Sequence, residues 1–177
     1  MSKYIAYPKN TAPQIQSNLW VLSKDDSLHV DQLEAGQVIV SYHYWKTHQS
    51  ALQVKVDRQE IGVFFSVQDD IVQEFDAIQT AMQAWSIIAV DFPIFRDGRG
   101  FSTAAILREE FFWKKELRAI GDVLIDQLVQ MARVGFDAFV LREDQNLDFA
   151  ITQLQRFPVK MQNDWRGSRT QLKGLAT

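Results

Sequence analysis

From Asp91 to Ser102 the chain reads Asp-Phe-Pro-Ile-Phe-Arg-Asp-Gly-Arg-Gly-Phe-Ser, its densest run of groups that could handle a ligand. Arg99, with Arg96 nearby, offers a planar fork suited to two-point binding of phosphate, sulfate, sulfite or carboxylate. Gly98 and Gly100 would allow positive φ and close backbone approach. Ser102 reads as the N-cap of a following helix, whose free N–H groups and dipole attract negative charge. Asp97 would orient an arginine or act as a base. The plainer alternative is that Asp97 and Arg99 only clamp the loop around a turn at Gly98.

Arg118 adds a second cation. Leu117-Arg118-Ala119-Ile120 reads as a central strand, where a guanidinium is expensive unless paired. It would either complete an anion pocket with Arg99 or lock into an ion pair with Asp91, Asp97 or Asp122. Asp122 is a second candidate base, with N-cap duty as its innocent role. Asp126 stands four residues on, on the same helix face. His29, His43 and His48 are too scattered for a metal site, and no metal is expected. The chain has no Cys, which removes thiol nucleophiles, disulfides and thiolate-held metals. It has no G-x-S-x-G elbow and no P-loop. Gly98-x-Gly100 approaches a dinucleotide fingerprint, but Thr103 stands where a third glycine belongs and the turn is too long.

The elements that must hold these groups alternate. Apolar runs at Val38 to Ser41, Gly62 to Val67, Ile87 to Asp91, Leu117 to Ile120 and Ala138 to Leu141 suit buried strands. Between them, segments near 43–53, 70–84, 102–113, 122–134 and 146–156 have helical period. About five βα units predict an α/β domain with a mostly parallel sheet. An open doubly wound sheet is the first expectation and an incomplete barrel-like arrangement the second. Ten residues separate Asp91 from Ser102, against a usual two to six in such connections. In parallel sheets ligands sit at the carboxyl ends of strands, so this loop is where a site is expected.

The 177 residues fit one α/β domain over 19–157, between an irregular arm at 1–18 and a basic tail at 158–177. The tail holds Lys160, Arg166, Arg169 and Lys173 against Asp164, and reads as a solvated end or a docking segment anchored by Trp165. Net charge is −3, which gives no general attraction for nucleic acid. The first residues lack the apolar core of a signal peptide and no run is long enough to span a bilayer, so a cytoplasmic protein is expected. The aromatic load is compatible with a homodimer.

Residues 91–102 with Leu107-Arg108-Glu109, Glu116 to Leu124 with Asp126-Gln127, and Gly135-Phe136-Asp137-Ala138-Phe139 together resemble the bacterial domain of unknown function 934. The likeness is strongest over 91–139 and looser from 38 to 90. Members lie beside genes of assimilatory sulfite reduction, and an oxidoreductase role is attributed to them through that neighbourhood. The resemblance therefore implies a part in sulfur assimilation, with a sulfite-class anion and sulfite reductase as partners and no cofactor identified. Its recurring polar positions are Asp97, Arg99, Ser102, Arg118, Asp122, Asp126 and Gln127. The family commonly has Arg-Cys-Gly-Phe where this chain has Arg133-Val134-Gly135-Phe136, so any chemistry of that cysteine is absent here. The rival to an anion-binding accessory protein is a non-catalytic docking module. Phe111-Phe112-Trp113 or Trp165 would then be its contact surface.

Overall fold

In a computed structural model, which describes residues 2–156, 162–168 and 170, the strands are β1 Lys3–Ala6, β2 Gln14–Ser17, β3 Val21–Leu22, β4 Val38–Ser41, β5 Ile61–Phe65, β6 Ile87–Phe92, β7 Glu116–Gly121 and β8 Ala138–Phe139. The helices are α1 Tyr42–His48, α2 Gln53–Asp57, α3 Phe75–Ala81, α4 Arg99–Glu109, α5 Leu128–Val134 and α6 Leu147–Gln155. All strands join one sheet in the order β2-β1-β8-β7-β6-β5-β4-β3. From β3 to β8 every neighbouring pair is parallel, while β1 is antiparallel to both β8 and β2.

That order settles which α/β arrangement the chain adopts. Consecutive parallel strands always step to the same side, and right-handed crossovers then lay every helix on one face. A doubly wound sheet would need a reversal of strand order, and there is none between β3 and β8. The molecule is the incomplete barrel.

Its curvature follows from chain length. β2 and β3 lie at opposite ends of the strand order, yet only Asn18, Leu19 and Trp20 join them. Four residue steps reach at most about 14 Å. Eight strands laid flat at about 4.8 Å spacing would hold the outer two about 33 Å apart. The sheet must curl until its two edges nearly meet.

Side-chain alternation sorts the strand residues. Val40, Val63, Ile88, Val90, Leu117, Ala119 and Phe139 face the helices and form the main core. Ile39, Phe64, Ile87, Ala89 and Ile120 face inward, with Trp20 and Val140 packed on them. Arg118 also faces inward and is 1% exposed. Its Nε donates to Glu116 at 2.7 Å, its Nη1 to Asn18 Oδ1 at 2.8 Å, and its guanidinium lies 4.4 Å from the Tyr4 ring centre. The crossing segment therefore supplies the polar partner that an interior cation requires.

The first eighteen residues are not an irregular arm, since they carry β1 and β2. Pro8 and Pro13 lie in the connection between these strands and mask how regular they are. Of the tail, Lys160, Arg169 and Lys173 lie outside the described residues. Arg166 donates to the carbonyls of Tyr7 and Pro8 and stacks 3.5 Å over the Tyr7 ring, and the Trp165 backbone N–H donates to the Arg133 carbonyl.

A buried polar knot at the amino-terminal side had no place in the sequence reading. Arg108 is 2% exposed. It donates to the carbonyls of Gly135, Trp113 and Lys115 and to Asp137 Oδ2, and stacks on the Trp165 ring. Gly135 has φ +121°, and a Cβ there would lie 2.5 Å from Arg108 Cγ, so the helix-ending glycine also makes room for the arginine. Asp137 accepts the Leu117 N–H at 2.7 Å. Burial pushes its carboxyl up to about 6, although Arg108 and the Leu117 amide pull the other way. A carboxyl raised in the fold binds its proton more tightly there than in the unfolded chain. Its contribution to stability is therefore present below about pH 4 and declines as pH rises to about 6. The Asp137 side chain should titrate near 6 by carbon-13 NMR. Asp137→Asn should remove from the pH–stability curve a downward step of up to about 3 kcal/mol between those values.

Candidate functional site at the carboxyl rim

Two residues beyond the apolar inward row, the same alternation reaches Ser41, Ser66, Asp91, Asp122 and Arg142. The inner face thus turns polar at the carboxyl ends of the strands, the end where α/β proteins place their sites. Each charge there has a partner. Lys24, just beyond β3, puts Nζ 2.8 Å from both Asp91 oxygens. Ser41 donates to Asp26 at 2.7 Å. Gly121, at φ +91°, has no side chain because a Cβ would meet the Phe92 carbonyl and Asp91 Oδ1.

Asp122 is the hub. One oxygen accepts the Phe95 N–H at 2.9 Å, and the other accepts Arg142 Nη1 at 2.8 Å. Gln127 Nε2 donates to the Phe95 carbonyl at 2.6 Å. Arg142 also grips Asp144 through Nε and Nη2, and holds that carboxyl down to about 2. Three loops, at 93–98, 121–127 and 141–146, are stapled together by side chains. The Asp122 oxygens are both engaged, and Asp122 caps no helix, because α5 begins only at Leu128 after a short turn over Ile125–Gln127.

The other expected residues separate. Asp97 Oδ1 accepts the Arg99 backbone N–H at 3.1 Å and Nε at 3.0 Å, and Oδ2 accepts Nη2 at 2.7 Å. The Arg99 side chain holds the Asp97 carboxyl below its usual range and is itself raised by it. Asp97 thus occupies the anion's place at the start of α4. Gly98 has φ −74°, not a positive φ, and open space where a Cβ would be. Gly100 also fails to give ligand access, since its Cβ position lies 2.6 Å from the Phe92 ring. That close contact brings the chain into α4 three residues early, so Ser102 lies inside the helix and is not its cap.

Arg99 and Arg118 do not converge. Arg118 pairs in register with Ala89, two positions before Asp91, and its guanidinium meets Glu116, Asn18 and Tyr4. Asp126 is exposed and makes no ion pair among the described residues. Phe111 and Trp113 are buried, which leaves Phe112 as the exposed member of that trio. Among the described residues no group of three or more His, Cys, Asp or Glu is placed to hold a metal, and no helix is long and apolar enough to cross a membrane.

Fold and rim together define a curled, mainly parallel α/β domain; its β6–α4 loop, cut to six residues by the early start of α4 and shorter than the nine residues between β5 and α3, is fixed by its neighbours. The chain belongs to the family described as bacterial protein of unknown function (DUF934), whose model matches residues 64–172. No curated protein matches it.

The two loop glycines should behave oppositely. Gly100→Ala drives a methyl into the Phe92 ring and should cost about 1–3 kcal/mol in urea unfolding. Gly98→Ala should change stability by less than about 1 kcal/mol.

Proposed function

We propose that this protein is an accessory docking module of sulfite reduction that offers its carboxyl rim to a partner enzyme. One observation carries the reading. Ile94 and Phe95 are 54% and 39% exposed, yet the backbone of Phe95 is held on both sides, at its N–H by Asp122 and its carbonyl by Gln127. An apolar loop displayed in a fixed conformation loses little further entropy on binding. Arg96, 5.7 Å over the Phe95 ring, adds the aromatic–arginine pairing common at binding hot spots. The sulfite-reduction setting, a cytoplasmic location and sulfite reductase as partner rest on the family resemblance. An oxidoreductase role fits this reading where the partner carries the cofactor. Purified sulfite reductase should bind the protein in calorimetry. Ile94→Asp with Phe95→Asp should weaken that binding about 30-fold or more, near 2 kcal/mol. Failure of the unmodified protein to bind, or binding untouched by the two substitutions, contradicts the reading.

A second reading keeps a small anion of the sulfite, sulfate or phosphate class at the start of α4. It is favoured by Arg96, which has no carboxylate partner among the described residues, and by the open space beside Gly98. Asp97 would have to release Arg99, while Gly100, Ser102 and Arg118 would take no part. Asp97→Asn should then strengthen a sulfite-induced rise in melting temperature and Arg99→Ala should abolish it. The absence of any shift at millimolar sulfite removes this reading.

A further inference from the structure

Beside the stapled loops lies a shallow cavity of about 390 Å³, wide open to solvent and lined by Leu124, Ile125, Asp126, Arg142, Gln145, Phe149 and Gln153. Phe149 is 55% exposed at its edge although it begins a well-capped helix, with Asn146 accepting the Phe149 N–H at 2.8 Å. Gln145 holds the opposite wall by accepting the Ile125 N–H at 3.2 Å. The cavity thus has apolar walls on two elements whose separation is fixed.

The charge around it is one-sided. Asp122, Asp126, Glu143, Asp144 and Asp148 stand in the segments that build the cavity, against Arg142 and, at the end of α6, Arg156, whose Nη1 donates to Gln153 Oε1 at 3.4 Å. Arg142 is already spent on Asp122 and Asp144. Asp126, Glu143 and Asp148 are exposed and form no ion pair among the described residues. Acidic groups left unpaired around an apolar hollow complement a cationic partner that carries an apolar anchor. A free anion or an acidic surface would be repelled.

We propose that this cavity receives one apolar or aromatic side chain of a partner protein, from a segment whose neighbouring residues are lysine or arginine. The proposal rests on the docking reading and names the kind of partner segment; the Ile94–Phe95 loop forms the adjoining part of the same surface. Phe149 and Ile125 would pack on the anchor, while Asp126, Glu143 and Asp148 face the basic flanks. Arg142 positions the walls through Asp122 and Asp144 and touches no partner charge.

The test uses the full chain and a fluorescein-labelled peptide with one tryptophan between lysines, read by anisotropy. Controls replace that tryptophan by alanine or the lysines by glutamates. The tryptophan–lysine peptide should bind saturably, more weakly as ionic strength rises, and each control should lose about tenfold or more in affinity. Phe149→Ser, and separately Asp126→Asn with Asp148→Asn, should each cause a similar loss. These side chains are exposed, so circular dichroism should stay unchanged. No binding of the tryptophan–lysine peptide, or binding indifferent to Phe149→Ser, overturns the proposal. Concentration-dependent self-association that Phe149→Ser abolishes also overturns it, because the occupant is then a second copy. Sulfite reductase binding that survives Phe149→Ser but fails on Ile94→Asp with Phe95→Asp sinks this inference alone; loss of both bindings in wild type sinks the docking reading with it.

Discussion

The short crossing from β2 to β3 governs the whole molecule. Three residues cannot bridge the edges of a flat eight-stranded sheet, so the sheet curls until its unpaired edges approach and leaves a narrow interior. Trp20, Phe64, Ile87 and Ile120 fill that space, and Gly62 lacks a side chain where Ile87 and the Trp20 ring press close. The same crossing carries Asn18 to Arg118. An interior charge that would be costly alone is thereby satisfied by a carboxylate, an amide oxygen and an aromatic face. Arg118 is consequently part of the barrel's filling, and a ligand is left with the rim.

At the rim the same alternation that packs the interior delivers charged residues. Asp91, Asp122 and Arg142 follow apolar inward residues by two positions, and each is neutralised by a neighbour from another loop. The result is a connected set of staples whose visible product is the fixed conformation of the 93–98 loop. An exposed connection is ordinarily more mobile than the elements it joins. Here backbone groups on either side of an exposed phenylalanine are tied to Asp122 and Gln127, which suits recognition by a rigid surface.

How far the sequence foretells this depends on the range of the interaction. The βα rhythm is local, and the strands from β4 to β8 lie where apolar runs place them. The exceptional length expected of the 91–102 loop is not borne out, because α4 begins at Arg99 and leaves six residues after β6, fewer than the nine between β5 and α3. Strand order is not local: the choice between doubly wound and barrel-like depends on which edges meet, and that is decided by the crossing near residue 18. Partners far apart in the chain leave no mark in spacing. Asn18 and Arg118 are 100 positions apart, and Lys24 and Asp91 are 67 apart. Arg108 did leave one, since it sits four residues after Ala104 on the apolar side of α4. A charge in a buried stripe asks for a partner, and Asp137 is that partner. Gly100 and Ser102 are ambiguous in the sequence for another reason. A glycine before a helix suits both ligand access and close packing, and only the position of the Phe92 ring separates them.

The 93–98 loop is held in one conformation before any partner arrives. Native-state amide exchange at Phe95 tests it directly. Its N–H should exchange at least about tenfold more slowly than a free chain, despite its exposed side chain, and should return to the free rate in Asp122→Ala. Exchange at the free rate in the unaltered protein would show the loop unfastened and contradict the account.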